Sequence, residues 1–231
     1  MHQRLLLILS TITIVLIWQV PYGRQILYPL TLLATFAHEM GHGLTAILVG
    51  EQFVQLLLNA DGSGMALWRG NPGRLATALI AAGGLAGPSV AGISLLLLSR
   101  SQRFAPVVLA TLGVVLVVSV AIWVRNAFGV AFLLSTAAVL ALAAKLLPAA
   151  VASFLLHLMA ATLCLSWFTD LDYMFSAQAT VNGMVRPSDS AVIAQALWLP
   201  YWFWGGVVAC FSLAVAALGI GLVSRDTGRQ R

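Results

Sequence analysis

The stretch Thr35-Phe36-Ala37-His38-Glu39-Met40-Gly41-His42-Gly43-Leu44 places three ionisable side chains within five residues of one another, in the middle of a long apolar run. On a helix, residues four apart share a face, so His38 and His42 can aim imidazole nitrogens at one metal ion. Glu39 follows His38 directly. In an HExxH pattern that carboxylate stands beside a metal-activated water as general base and not as a ligand. Two histidines and a base are the minimum for hydrolysis of an amide at zinc, so Zn2+ is the expected cofactor.

The surroundings make the pattern more specific. The chain has 231 residues, 61% hydrophobic and only 8% charged, with a mean hydropathy of +0.97, which excludes an ordinary water-soluble globular domain. A helix of roughly 20 residues crosses a hydrocarbon core of about 30 Å. Apolar runs of that order lie near 5–20, 26–49, 75–98, 105–124, 127–147, 149–168 and 197–223. They leave no room for a separate soluble domain, so residues 1–231 read as a single membrane-embedded unit. The fold expected is an all-α polytopic membrane protein of six to seven transmembrane helices. The first run is read as an uncleaved span, since no small-x-small cleavage site follows it.

Within such a span an Asp, Lys or Arg costs about 2.5–3.5 kcal/mol on insertion scales, so ionisable groups persist where they have partners or a function. The net charge of +5 comes from Arg residues near the ends of apolar runs and in the C-terminal tail. That distribution suits anionic lipid headgroups and argues against nucleic acid as a partner. On the same ground the Arg100/Arg103 loop and the tail are assigned to the cytoplasmic side. Cys164 and Cys210 sit in apolar runs with no CxxC spacing and read as small hydrophobes. Trp198, Tyr201, Trp202 and Trp204 gather around Pro200 as an interface anchor.

A catalytic zinc usually takes three protein ligands and keeps one position open. Asp170, Asp172, His157, Asp61 and Asn59 are the candidates for the third. Asp170, closing the sixth apolar run after Ser166-Trp167-Phe168-Thr169, is the first choice, with Asp172 as the alternative. His157, alone in an apolar helix, reads more readily as hydrogen-bonded structure.

Two connections are long. Residues 50–74 hold Phe53-Val54-Gln55-Leu56-Leu57-Leu58, a turn of Asn59-Ala60-Asp61-Gly62-Ser63-Gly64, and Met65-Ala66-Leu67-Trp68, which reads as a short β-hairpin inserted after the HExxH helix. Residues 169–196 read as an interfacial segment. In the third run, Gly83 and Gly87 form a small-xxx-small pair suited to close packing against the HExxH helix.

These features together resemble the site-2-protease-type intramembrane zinc metallopeptidases, in particular their small bacterial B-like branch (peptidase M50B-like). The residues that carry the resemblance are His38-Glu39-Met40-Gly41-His42, a hairpin ending near Gly62-Ser63-Gly64, Ala82-Gly83-Gly84-Leu85-Ala86-Gly87-Pro88-Ser89, and a late Asp170-Leu171 followed by Ser188-Asp189-Ser190. The wider family's Leu-Asp-Gly string is missing, and Leu171-Asp172-Tyr173 is the nearest to it. The branch pattern points to Asp170. What the resemblance implies is zinc-dependent cleavage of membrane-spanning or membrane-adjacent proteins in a bacterial inner membrane. A helical substrate would have to unwind, and the 53–68 segment reads either as an edge for the extended peptide or as an ordinary re-entrant or interfacial loop. Two other readings fit parts of the pattern. A catalytically silent scaffold is disfavoured by the intact Glu39, and an ion-coupled transporter by the lack of internal repeats.

Overall fold

The computed structural model describes residues 2–99, 101–169 and 171–226. Arg100, Asp170 and the tail 227–231, to which the sequence assigned a place, lie outside them. The element order is α1 (His2–Gln19), α2 (Gly23–Leu48), β1 (Gln52–Leu58), β2 (Gly64–Arg69), α3 (Arg74–Leu98), α4 (Ala105–Ile122), α5 (Ala127–Leu146), α6 (Ala149–Thr169), α7 (Leu171–Met174), β3 (Gln178–Val181), β4 (Met184–Pro187), α8 (Asp189–Leu197) and α9 (Tyr201–Asp226).

Five helical segments among the described residues are long and apolar enough to cross a membrane, and α1 contributes a shorter apolar helix. The architecture is that of a helical polytopic membrane protein. At 26 residues α2 has the length of a span but is not one of the five, because the site residues dilute its apolar character. The last span begins at Tyr201 and not near 197. Trp198 turns the chain out of α8 in a left-handed conformation (φ 66°), and Pro200 then stands just ahead of the new helix. Trp198 is exposed, with the Arg74 guanidinium 3.5 Å above its ring.

α3 is the central helix, packed against α2, α6, α8 and α9, while α4 and α5 form a helical hairpin to one side. The α2–α3 contact is backbone to backbone. A Cβ at Gly41 would stand 2.2 Å from the carbonyl oxygen of Gly83, and one at Gly87 2.5 Å from that of Ala37. Glycine at these positions lets the two helices approach without an intervening side chain.

The first hairpin forms as the sequence suggests and folds back along α2. Tyr28 Oη donates to Ala60 O at 2.7 Å and Thr35 Oγ1 to Gly62 O at 2.9 Å, which ties the hairpin turn to the helix. Gly62 takes φ 91°, a value that favours glycine. β1 and β2 pair antiparallel, with Leu56 opposite Ala66 and Leu58 opposite Gly64.

The outer edge of β1 is closed from the α4–α5 connection. Leu56 N donates to Trp123 O at 2.8 Å and Arg125 N to Leu56 O at 3.2 Å. One step along, the Asn126 side chain continues the ladder: its Oδ1 accepts from Leu58 N at 3.2 Å and its Nδ2 donates to Leu58 O. Phe53 stacks on Trp123 with ring centroids 5.0 Å apart, sealing the junction. The segment after α6, read from sequence as interfacial, contains a second hairpin of its own, β3–β4, before α8.

Candidate metal centre

His38 and His42 sit one turn apart on the face of α2 that meets α3, as their spacing requires. Their Nε2 atoms are 3.1 Å apart. The carboxylate that joins them is Asp189, at the start of α8: its Oδ2 lies 3.0 Å from His38 Nε2 and 3.3 Å from His42 Nε2. His38, His42 and Asp189 are the group of potential metal ligands among the described residues. Asp172, the alternative third ligand, is exposed on α7 and stands outside this group. Neither His157 nor Asp61 belongs to it. His157 is buried in α6 with its Nδ1 2.7 Å from Ser153 O, the structural role expected for it.

Local sequence explains how Asp189 is presented. Pro187 ends β4, and Ser188 caps α8 by accepting from Ala191 N at 3.2 Å. Ser188 Oγ donates to Ser176 O, and Ser188 N to Ala177 O at 3.2 Å, so the base of the second hairpin is pinned where α8 begins. Asp189 is therefore the first helical residue, and its carboxylate also gains from the positive end of the helix dipole. Burial works to raise the pKa of this carboxyl. The charge on His42 and hydrogen bonds from both imidazoles outweigh burial and hold it well below the usual carboxylate range.

The three donor atoms fit a zinc ion. With metal–nitrogen and metal–oxygen distances of about 2.0–2.1 Å, tetrahedral ligands stand roughly 3.3 Å from one another, close to the observed 3.0–3.3 Å. His42 Nδ1 faces Ile80 O at 2.8 Å, a contact that keeps a proton on Nδ1, so that once the ring is neutral its Nε2 lone pair is the one turned toward the other two donors.

Glu39 is buried beside this group, 6% exposed. The hairpin reaches it. The backbone of Ala66 hydrogen-bonds the Glu39 carboxylate, and Gly64 lies directly against its side chain. Gly84 of α3 presses on the ring of His42, where a Cβ would overlap the imidazole. Tyr173 of α7 closes the other side, its hydroxyl 2.9 Å from Asp189 Oδ2 and its ring edge-on to that of His38.

Fold and site thus define a class: a multi-pass membrane protein whose second helix carries two histidines and a buried glutamate, completed by a carboxylate from near the last span. Over residues 7–219 the chain matches the family model described as Peptidase M50B-like, and it belongs to that family of site-2-protease-type, zinc-dependent membrane metallopeptidases. No curated protein and no solved structure matches the chain.

Sequence reasoning singles out His38, Glu39 and His42, which the structure brings together with Asp189, and does not select Asp189 itself. The signal for it was present as Pro187-Ser188-Asp189-Ser190, a helix start with an acid in the first turn.

Proposed function

We propose that this chain is an intramembrane zinc metallopeptidase that hydrolyses peptide bonds of membrane-spanning or membrane-adjacent proteins in a bacterial inner membrane. The observation that carries the reading is the convergence of His38 Nε2, His42 Nε2 and Asp189 Oδ2 beside a buried Glu39. His38, His42 and Asp189 would hold the metal. Zinc, when bound, supplies polarisation of a carbonyl and activation of a water at neutral pH. Glu39 is the general base: it takes a proton from the attacking water and later passes it to the departing amine. Its burial keeps bulk water from competing for that proton.

The hairpin supports a mode of substrate binding. Along an antiparallel strand successive residues point their backbone groups to opposite edges. Leu56 and Leu58 spend theirs on the 123–126 segment, so the residues facing them, Ala66 and Gly64, direct theirs away from β1 and toward Glu39. Sheet edges do not stand open to lipid, and one at membrane depth is tolerated where it is buried in protein or lines a wet cavity. The β2 edge beside the general base suits an extended peptide, which answers how an unwound substrate is held.

The test is zinc content and cleavage of a model single-span substrate in purified wild type, Glu39→Gln and His38→Ala. Glu39→Gln is expected to keep its zinc and lose cleavage by about 10²–10⁴-fold. His38→Ala is expected to lose both. Wild-type cleavage by Glu39→Gln, or full zinc in His38→Ala, would sink the reading.

A further inference from the structure

Tyr173 is the side chain that ties the far end of the chain to the histidine pair. Its hydroxyl donates to Asp189 Oδ2 at 2.9 Å, the same oxygen that faces His38 and His42. That hydroxyl oxygen in turn accepts from Asp189 N at 3.3 Å. One phenol thus bridges the carboxylate and the backbone of a single residue, a closed loop that leaves Asp189 little rotational freedom. The ring meets that of His38 edge-on, with centroids 6.0 Å apart and planes at 80°. Tyr173 therefore touches two of the three donor residues, with its hydroxyl proton given to Asp189.

α7 has only four residues, and Met174, its last, is buried against α9, where the Met174 carbonyl meets Gly205. This packing fixes the backbone from which the Tyr173 ring projects. The backbone at Asp189 is held by the Ser188 cap and by the packing of α8 on α3, but these set the main chain and not the side-chain torsions that aim the carboxylate. The phenol supplies that restraint.

We propose that Tyr173 is a positioning residue for the metal centre: its hydroxyl holds Asp189 in the orientation that completes the donor set with His38 and His42. The proposal rests on the zinc reading above. A hydroxyl hydrogen-bonded to a ligating carboxylate fixes its direction and tunes its basicity, and removal of such a partner lowers metal affinity by about 10–100-fold.

The experiment uses full-length protein in detergent as wild type, Tyr173→Phe, Asp189→Ala and the double variant. Zinc affinity is measured by competition with a graded chelator, and Co2+ is substituted to read the donor set from its visible absorption. Helix content by circular dichroism confirms that the variants compared are folded. Tyr173→Phe keeps the ring against His38, so a general packing role would leave both readouts at wild type. The expected result is a zinc affinity about 10–100-fold weaker in Tyr173→Phe, with an altered Co2+ spectrum, and a double variant no weaker than Asp189→Ala alone.

Unchanged affinity and spectrum in Tyr173→Phe would overturn the proposal while leaving the three-donor centre intact. The same loss in the Asp189→Ala background as in wild type would also overturn it, since Tyr173 would then not act through Asp189. Wild-type zinc affinity in Asp189→Ala would overturn the three-donor centre itself.

Discussion

Gly64 of β2 lies against Glu39 of α2 so closely that a Cβ on the glycine would stand 2.7 Å from Oε1 and 2.6 Å from Cγ of the glutamate. The hairpin wall and Glu39 are therefore in direct contact, and a side chain at this strand position would displace the glutamate. In Gly64→Ala the glutamate has to move while His38, His42 and Asp189 stay in place. The expected outcome is a loss of cleavage on the order of 10²-fold, as for a catalytic group displaced by about an ångström, with zinc content unchanged. Metal analysis and a substrate assay on the same preparation check it.

The third donor is tested by comparing acids. Asp189→Ala is expected to lose zinc under mild chelation, and Asp172→Ala to keep it, because Asp172 is exposed outside the histidine group. Asp170→Ala belongs in the same series. Zinc loss in Asp172→Ala with retention in Asp189→Ala would reverse the assignment.

Asn126 carries a prediction about the hairpin. Its amide both donates to and accepts from the backbone of Leu58, whose side chain is fully buried. Asn126→Ala leaves two backbone groups without partners, at about 1–3 kcal/mol for each buried group left unsatisfied. The thermal midpoint in detergent should fall in Asn126→Ala. An unchanged midpoint would show that the side chain is not a strand substitute.

A pH dependence follows from the hairpin turn. Asp61 Oδ1 accepts from Ser63 Oγ at 2.6 Å and from Ser63 N at 2.9 Å, and these bonds hold its pKa below the ordinary carboxylate value. A carboxyl lowered on folding stabilises the folded state in full above its unfolded pKa of about 3.9, and that contribution disappears as pH falls through the lowered value. The difference in Tm between wild type and Asp61→Asn should be constant above about pH 5 and should shrink as the pH falls below about 4. A difference that grows on acidification would contradict the assignment.

Much of this protein was legible in its sequence because membranes impose simple rules. Long apolar runs become helices, since a backbone without water must satisfy itself, and the runs near 105–124, 127–147 and 149–168 match α4, α5 and α6 to within a few residues. His38 and His42 were legible because helical periodicity is local: a spacing of four puts both rings on one face whatever surrounds them. The first hairpin announced itself through its Asn59–Gly64 turn.

Asp189 was not legible in this way. Asp170, Asp172 and Asp189 all follow the sixth apolar run, and sequence distance does not say which of them comes back to α2. That was decided by the second hairpin, by the Ser188 cap that opens α8, and by the packing of α3 against both α2 and α8. The same holds for Asn126, whose side chain completes a strand that begins near Gln52. The sequence by itself determined the helices and the placing of His38, Glu39 and His42 on one of them, because each depends on neighbours within a turn or two. Only the tertiary structure decided which acid meets the histidine pair, how β2 lies against Glu39 and the place of Tyr173, because those depend on which distant segments share a surface.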